Sequence, residues 1–264
     1  MPSQGIFFDA GVASSCIPRA FFVTHSHLDH SSALPRIVVD VKKPSIAYVP
    51  QEAAHLLRHH LESSMQLNLC SSEAQVSLCD VSGVVAGQEI ALRAPGLDWK
   101  VRVVECVHRV PSVGYCVSER RSKLLPKYQG LSGSEIGALR RSGVEISESV
   151  WFKSFAFMGD TTTSLFEKHP EVFEYSTLFV ECTLFGEGLE GKAQKTTHVH
   201  WSLLKPFVLS HPHCHFMLIH FSLRWSEPQL REFFAAESRE SNIDRKSTRL
   251  NSSHRNTSRM PSSA

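Results

Sequence analysis

Short apolar runs that end abruptly in an acid or a histidine mark the first part of the chain. The run Ile6–Phe8 leads into Asp9, and the run Ala20–Thr24 leads directly into His25. Runs of this length, rich in aromatic and β-branched residues, predict strands. We expect strands at about 5–11, 20–24, 46–49, 88–93, 99–107, 113–118, 152–158, 177–181 and 214–220.

Helical periodicity appears between these runs. Helices are expected at about 31–41 and 51–67. A last helix is expected to begin after Ser226, because Gln229 three residues on completes a capping box. Its apolar face would consist of Leu230, Phe233 and Phe234. Strands interleaved with helices predict a mixed α/β sandwich whose functional site lies where the strand ends meet.

The composition is that of a globular protein. The 264 residues are 42% hydrophobic, which is enough for one large domain. No apolar run approaches the roughly 18 residues that a membrane span needs, and the first residues lack the regions of a signal peptide. The 7 cysteines form no CxxC pair, which indicates free thiols in a reducing compartment.

The end of the chain differs from the rest. Residues 244–264 contain five Lys or Arg, much Ser and Asn, and few apolar residues, so they cannot bury enough surface to fold. The string RKSTRLNSSH within them resembles a translated sequencing adapter. We assign residues 1–243 to the folded domain and expect 244–264 to be a disordered, non-native tail. The net charge of +2 becomes −2 for residues 1–243, so the overall charge does not indicate a nucleic-acid partner.

The 15 histidines include one motif with metal-binding spacing, His25-Ser-His27-Leu-Asp29-His30. Two imidazoles separated by one residue in a loop can converge on one ion. Asp29 and His30 start the next helix and can serve a second ion nearby. Imidazole together with carboxylate suits zinc, with manganese and iron as competitors.

One loop supplies at most four ligands, so a site for two ions needs ligands from elsewhere in the chain. Three further residues share the context of a strand that runs into a ligand type. They are His108, Asp160 and His220. Two other histidine groups are explained without a metal, the first by the solvent face of a helix and the second by its position before a strand. They are His55, His59 and His60, and His211, His213 and His215.

Several longer segments carry a more specific resemblance. They are HSHLDHSSALP (25–35), His108 with Gly114-Tyr115, YQGLSGSEIGALRRSGVEI (128–146), FMGDTTT (157–163), FVECT (179–183), HVHWS (198–202) and LIHFSLRW (218–225). The order of HxHxDH, a lone His, GDT and a late His resembles the metallo-β-lactamase superfamily. The narrower segments resemble ribonuclease Z, the tRNA 3′-processing endonuclease, in its short eukaryotic form.

The resemblance implies an αββα sandwich that holds two zinc ions. Family members carry further strands before the one that ends at Asp9, so the domain is expected to be incomplete at its N-terminus. The first zinc would be held by His25, His27 and His108, the second by Asp29, His30 and His220, with Asp160 bridging both. Manganese or iron would fit the same ligands.

The resemblance also implies which residues move protons. Asp29 would orient the attacking water or accept a proton from it. His198 matches the histidine that protonates the leaving ribose oxygen, and Glu181 matches the acid that orients this histidine. His200 competes with His198 for the role, because HVH offers two imidazoles two residues apart.

The substrate that the resemblance implies is precursor tRNA, whose phosphates should dominate the affinity. The family uses the region at 119–150 as a tRNA-binding arm, and here the region is basic, with a helix expected to open at Ser132. The RNA-binding candidates are Arg120, Arg121, Lys123, Lys127, Gly130, Gly133, Arg140, Arg141 and Arg224. Family members act as homodimers, so a homodimer without a membrane partner is expected.

Two other functions stay open from the sequence. The metal site could serve a small-molecule phosphodiesterase or thioester hydrolase, or the chain could be a catalytically degraded paralogue that binds RNA. A cytoplasmic or nuclear location is expected, and an organellar one is also allowed because the start of the chain is expected to be incomplete.

Overall fold

The computed structural model describes residues 5–14, 16, 18–39, 44–73 and 79–237. The expected tail at 244–264 lies outside the described residues. The strands are β1 (Ile6–Phe8), β2 (Ala20–Phe22), β3 (Ser45–Pro50), β4 (Cys79–Val84), β5 (Glu89–Ala94), β6 (Leu97–Cys106), β7 (Ser112–Leu124), β8 (Ser147–Phe157), β9 (Thr177–Glu181) and β10 (His215–Ile219). The α-helices are α1 (Leu28–Ser31), α2 (Leu34–Val39), α3 (Ala54–Leu69), α4 (Gly133–Arg141), α5 (Ser164–Lys168), α6 (Glu190–Thr196), α7 (Trp201–Ser210) and α8 (Glu227–Glu237).

The first sheet has the order β1-β2-β3-β4, and all of its strands run parallel. Helices α2 and α3 cover its outer face, where Phe21 and Val23 share a core with Leu34 and Leu57. Because successive side chains on a strand alternate, Phe22 belongs to the core between the two sheets.

The second sheet has the order β10-β9-β8-β7-β6-β5, with β8 to β10 parallel and β5 to β8 antiparallel. Trp99, Val101 and Tyr115 from this sheet share the inner core with Phe22. The buried Tyr115 hydroxyl donates to the Val23 carbonyl at 2.8 Å, which ties the two sheets together and satisfies the phenol.

Helices α5, α7 and α8 cover the opposite face of the second sheet. There Cys116 and Leu178 share a core with Phe166, Leu204 and Phe234. The layers therefore run helix, sheet, sheet, helix, and the expected αββα sandwich is confirmed. Cys106 and Cys182 lie in the same core as small packing residues.

The ends of several elements differ from the sequence prediction. The expected helix at 31–41 is divided into α1 and α2, and positions 40 and 41 lie outside the described residues. Strand β4 was missed because it is an edge strand of mostly polar or small residues, with only Cys79 and Val84 buried. The last helix begins after Ser226 as predicted, and the Ser226 N–H and hydroxyl both donate to Gln229 Oε1, at 2.9 and 2.8 Å.

The largest difference is a hairpin that extends the second sheet. Strands β7 and β8 remain paired as far as Leu124 and Ser147, well past the predicted strand ends at 118 and 152. Their outer halves are polar and exposed, so they lack the apolar alternation that predicts a strand. Within the described ranges no helix combines the length and hydropathy that crossing a bilayer requires.

Candidate metal centre

The site forms where the strands of both sheets end. His25 follows β2, His108 follows β6, Asp160 follows β8 and His220 follows β10. Strands β6, β8, β9 and β10 run in the same direction, so their carboxyl ends share one edge of the second sheet. The strand-end pattern that predicted these residues therefore reflects the real arrangement of the chain.

The side chains form two adjoining groups of potential ligands, and a third group of Asp160, His198 and His220 overlaps both. In the first group, the ligand atoms of His25, His27, His108 and Asp160 all lie within 4.8 Å of one another. In the second group, the same holds for Asp29, His30 and His220. The structure thus brings together all seven residues that the sequence proposed as metal ligands.

Asp160 lies between the two groups. Its Oδ2 is 3.8 Å from His25 Nε2 and 3.5 Å from His220 Nε2. Its Oδ1 is 3.5 Å from His30 Nε2. A carboxylate that faces imidazoles of both groups is placed as a bridging ligand would be.

His30 provides the test of whether the site fits a metal ion. Its Nδ1 lies 2.8 Å from Asp9 Oδ2, and this carboxylate can only accept, so Nδ1 carries the proton. Its Nε2 is buried and has no hydrogen-bond partner within the described part of the chain. It lies 3.5 Å from carboxylate oxygens of both Asp29 and Asp160. In the neutral form of the ring, Nε2 holds a lone pair that faces these two carboxylates, and a cation among the three would satisfy all of them, so the ligand set fits a metal.

Burial keeps two of the imidazoles in their metal-binding form. Burial, together with the nearby positive charge of His30, lowers the pKa of His25 to about 2. Burial also lowers the pKa of His108 to about 4. Neutral imidazole is the form that binds a metal, so no proton has to leave these rings near neutral pH.

A carboxylate–imidazole pair lies beside the two groups. His198 Nδ1 is 3.0 Å from Glu181 Oε1, and Glu181 is only 1% exposed. Glu181 also accepts from the Thr161 N–H at 2.8 Å and from the Thr183 hydroxyl. Burial by itself would raise the pKa of Glu181, but its hydrogen bond and charge interaction with His198, among others, hold the pKa below its ordinary value. The ionised carboxylate can therefore hold the His198 ring in one orientation through Nδ1.

His200, the alternative proton donor from the sequence, lies in a different environment. Its Nε2 donates to the Gly186 carbonyl at 2.9 Å, and its Nδ1 accepts from the Ser202 N–H at 3.2 Å at the start of α7. Both ring nitrogens are engaged, and the residue is 2% exposed. This geometry favours His198 over His200.

Several residues around the ligands had not been given a role from the sequence. Asp9 holds His30, Thr183 lies 2.9 Å from His220 Nδ1, and Thr197 contacts His108 Nδ1. Gly11 lies against α1, because a Cβ built there would be 1.6 Å from the Asp29 carbonyl oxygen. The strand-to-acid pattern at Asp9 was a visible signal, whereas Thr183 and Thr197 are ordinary threonines in the sequence.

The extended hairpin carries most of the expected RNA-binding residues. Helix α4 is part of the connection from β7 to β8 and begins with the capping box of Ser132 and Glu135. Arg120 is paired with Asp98, and Arg121 with Glu119. The other basic side chains of this region are exposed and have no ion pair within the described residues. They are Lys123, Lys127, Arg140 and Arg141.

The remaining candidates have simple positions. Gly130 takes a left-handed conformation, with φ of 100°, in the turn before α4, and Gly133 is the first residue of that helix. Arg224 is exposed four residues after His220. The histidines explained without a metal are exposed on α3, contact backbone carbonyls before β10 or, in the case of His215, begin β10 itself. Of these, His55, His59 and His60 are exposed, while His211 and His213 contact the carbonyls of Phe207 and Phe173.

Solved structures place this architecture in a known class. The fold is similar to that of human tRNase Z, short form, with a TM-score of 0.50 and 20% identity over 83% of this chain and 82% of that one. It is also similar to the metallo-β-lactamase fold protein YhfI of Bacillus subtilis, with a TM-score of 0.51 and 11% identity over 81% of this chain and 70% of that one. The chain therefore has the metallo-β-lactamase fold.

Comparison with known sequences identifies a narrower family than the fold does. A search against protein-family models found no match. The chain is 31% identical over 247 residues to tRNase Z TRZ1 of Arabidopsis thaliana, which covers 89% of this chain and 84% of the relative. It belongs to the tRNase Z family, and the resemblance seen in its motifs is confirmed.

Proposed function

We propose that the protein is a zinc-dependent endoribonuclease that removes the 3′ trailer of precursor tRNA by cutting after the discriminator nucleotide. The observation that carries the proposal is the Glu181–His198 pair beside the two ligand groups, in a chain 31% identical to a tRNase Z over most of its length. A metal site alone would fit many hydrolases. A proton donor placed next to the metal site fits a reaction in which a ribose oxygen leaves.

The residues would hold two zinc ions. One ion would lie among His25, His27 and His108, the other among Asp29, His30 and His220, with Asp160 shared between them. When bound, the two metal ions would activate the attacking water and stabilise the charge on the phosphate. Manganese and iron would suit the same ligands.

Asp29 is placed to control the attacking water. Its Oδ2 lies 3.3 Å from His220 Nε2, and Asp29 is the exposed member of the second ligand group. The hydrogen bond with His220, against the opposing effect of burial, holds the pKa of Asp29 well below its ordinary value. The carboxylate is ionised at neutral pH, so it can accept a hydrogen bond from the water and direct the oxygen lone pair at phosphorus.

His198 is the residue we assign to protonation of the leaving group. Glu181 accepts from Nδ1, which leaves Nε2 to donate to the ribose 3′ oxygen as its bond to phosphorus breaks. Its neighbour in sequence, Val199, donates its N–H to the same carboxylate at 3.2 Å, so the backbone and the ring are fixed together.

The hairpin would hold the body of the tRNA through phosphate contacts. The unpaired cations at its outer end are the strongest candidates, because Arg120 and Arg121 are already neutralised by acids of the same chain. Arg224, four residues after His220, would serve a phosphate near the cut. We also propose a homodimer, in which the hairpin of one subunit presents tRNA to the site of the other.

The fold boundaries and the location complete the proposal. Residues 1–243 would form the nuclease domain and 244–264 a tail outside it, which limited proteolysis followed by mass measurement tests. A nuclear, cytoplasmic or organellar location stays a prediction from the sequence.

Cleavage of a defined substrate tests the function. Purified protein with zinc is incubated with a precursor tRNA that carries a 3′ trailer and, separately, with bis(p-nitrophenyl) phosphate. The proposal expects one cut after the discriminator nucleotide, leaving a 3′-hydroxyl on the tRNA. Hydrolysis of the small ester without any cut in the RNA would indicate a small-molecule phosphodiesterase, and tight RNA binding with neither reaction would indicate a degraded paralogue.

A further inference from the structure

Thr197 has a backbone conformation that a β-branched residue rarely adopts. It follows the last turn of α6 with φ of 55° and ψ of 46°, in the left-handed region. Its N–H contacts the carbonyls of Ala193 and Gln194, an arrangement in which glycine is usual because it has no Cβ. Left-handed backbone at a non-glycine residue persists only where the surroundings hold it, and it is often found at functional sites.

The consequence of this conformation is a double contact with His108. The Thr197 carbonyl oxygen and the Thr197 Oγ1 both lie 3.0 Å from His108 Nδ1. The hydroxyl proton is directed elsewhere, because Oγ1 donates to the Thr196 carbonyl at 2.7 Å. Both Thr197 oxygens therefore accept, and the His108 Nδ1–H is their shared donor.

This donor assignment fixes the form of the ring. With the proton on Nδ1, the lone pair of His108 is on Nε2. That atom lies 3.3 Å from His27 Nδ1 and 3.9 Å from Asp160 Oδ2, within the first ligand group. Thr197 thus selects the tautomer and the rotation in which His108 can bind a metal.

The same turn also fixes the position of the next residue, His198. The His198 N–H donates to the Ala193 carbonyl at 3.0 Å, and the His198 ring contacts Glu181. The ring centroids of His108 and His198 are 5.1 Å apart. One left-handed residue therefore holds a proposed metal ligand through its own oxygens and the proposed proton donor through the chain.

We propose that Thr197 is a positioning residue that holds His108 for metal binding and couples it to His198. The inference rests on the proposed metal site and adds to it a residue that acts through another side chain. It implies that the strained backbone is retained because a glycine in its place would lose the hydroxyl acceptor and the rigidity of the turn.

Zinc affinity measured by competition with a chromophoric chelator tests this without any RNA. Thr197→Val keeps the shape of the side chain but loses Oγ1, and we expect a zinc affinity about tenfold weaker. This is the lower end of the range of about 10–100-fold for loss of a residue that supports a metal ligand, because the contact of the Thr197 carbonyl with His108 remains. Thr197→Ser restores the hydroxyl and should stay within about twofold of the native affinity. In pre-tRNA cleavage, Thr197→Val should lower kcat and leave KM unchanged.

Two further variants separate positioning from simple stability. Thr196→Val is the matched control, because the Thr196 hydroxyl contacts the Lys192 and Ala193 carbonyls at the same helix end and no ligand of the site. It should leave zinc affinity unchanged. Thr197→Gly should raise the melting temperature of the metal-free protein by relieving the left-handed strain, and yet weaken zinc binding. A merely structural role would move both quantities in the same direction.

The outcomes are distinct. Native zinc affinity in Thr197→Val, or an equal loss in Thr196→Val, would overturn the positioning role. Native protein that binds zinc and responds to Thr197 as expected but does not cut precursor tRNA would overturn the proposed function and leave the role of Thr197 standing. Native protein that binds no zinc would overturn both.

Discussion

Asp9 Oδ2 lies 2.8 Å from His30 Nδ1, although the two residues are 21 positions apart in the chain. Asp9 has a left-handed backbone, with φ of 58°, and its Oδ1 also accepts from the Thr24 N–H at 2.7 Å. One carboxylate at the end of β1 therefore fixes both the segment that leads to His25 and the ring of His30. Strand β1 therefore leads into a support for the candidate metal site, although it supplies none of the proposed ligands.

Asp9→Asn should weaken metal binding. Asparagine tolerates the left-handed backbone, so the fold should survive, but its amide cannot accept from His30 and Thr24 as a carboxylate does. We expect a metal affinity lower by about 10–100-fold and a loss of about 1.5–3 kcal/mol in unfolding free energy. Calorimetric zinc titration and thermal melts measure both. Glu105→Gln, which removes an exposed pair with Lys168, is the control and should change neither by more than about 1 kcal/mol.

His198→Ala and His200→Ala should fail in different ways. Loss of the proton donor should lower the pre-tRNA cleavage rate by about 10²–10⁴-fold, with RNA affinity and stability near native. His200→Ala leaves the Gly186 carbonyl and the start of α7 without partners, so it should cost about 1–3 kcal/mol of stability and leave most of the rate. Single-turnover cleavage and denaturant unfolding separate the two. A large rate loss in a stable His200→Ala protein would move the acid role to His200.

The convergence of the proposed ligand residues was predictable because a strand running into a histidine or acid is visible within a few positions of the sequence. The layered fold was predictable because its inner strands are apolar and therefore recognisable in the sequence. Thr197 could not be found this way, because it lies 89 residues from His108 in the chain and their contact depends on a backbone turn. The outer hairpin was missed because its strands are stabilised by pairing with each other rather than by burial.

Gly11→Ala should distort the site through sterics alone. The added Cβ would lie 1.6 Å from the Asp29 carbonyl oxygen, so α1 must move or β1 must shift. We expect a loss of at least about 1–3 kcal/mol in unfolding free energy, together with weaker metal binding at the second ligand group. Gly191→Ala, in α6 with open space around the new Cβ, should instead stabilise by about 0.5–1 kcal/mol. Equal stability of the two variants would contradict the close approach of Gly11 to α1.

The metal-free protein should be most stable near pH 6.5. On the acid side, burial lowers the pKa of His25 to about 2 and that of His108 to about 4, from an ordinary value of 6.5. The unfolded chain binds protons at these rings below pH 6.5 and the folded chain does not, so stability falls as the pH falls. Burial raises the pKa of Asp160 from 3.8 to about 6. Between these two pH values the folded chain binds an extra proton at Asp160, which cancels the destabilising effect of about one of the two histidines.

On the alkaline side, His30 decides the slope. Burial by itself would lower its pKa, but Asp9 and the neighbouring carboxylates raise it to about 9. Its contribution is fully present below pH 6.5 and is lost as the pH rises through about 9. Thermal melts in chelator across this range should show the maximum, and Asp9→Asn should flatten its alkaline side. A stability that rises steadily with pH would contradict the prediction.

The outer end of the hairpin should contribute more to RNA binding than its base. Arg140→Ala with Arg141→Ala removes two exposed cations that no acid of the described chain neutralises, so the affinity for precursor tRNA should fall, and the slope of log affinity against log salt should decrease by about 2. Arg121→Ala should have a smaller effect, because its guanidinium already bonds Glu119 at 2.8 Å. Filter binding across a salt series measures both. Hydrolysis of the small phosphate ester should be unchanged in all of these variants, since the hairpin contributes none of the seven proposed ligands. If Arg121→Ala changed the salt slope as much as the double variant does, the hairpin would not be divided into a neutralised base at Arg121 and a free outer end at Arg140 and Arg141.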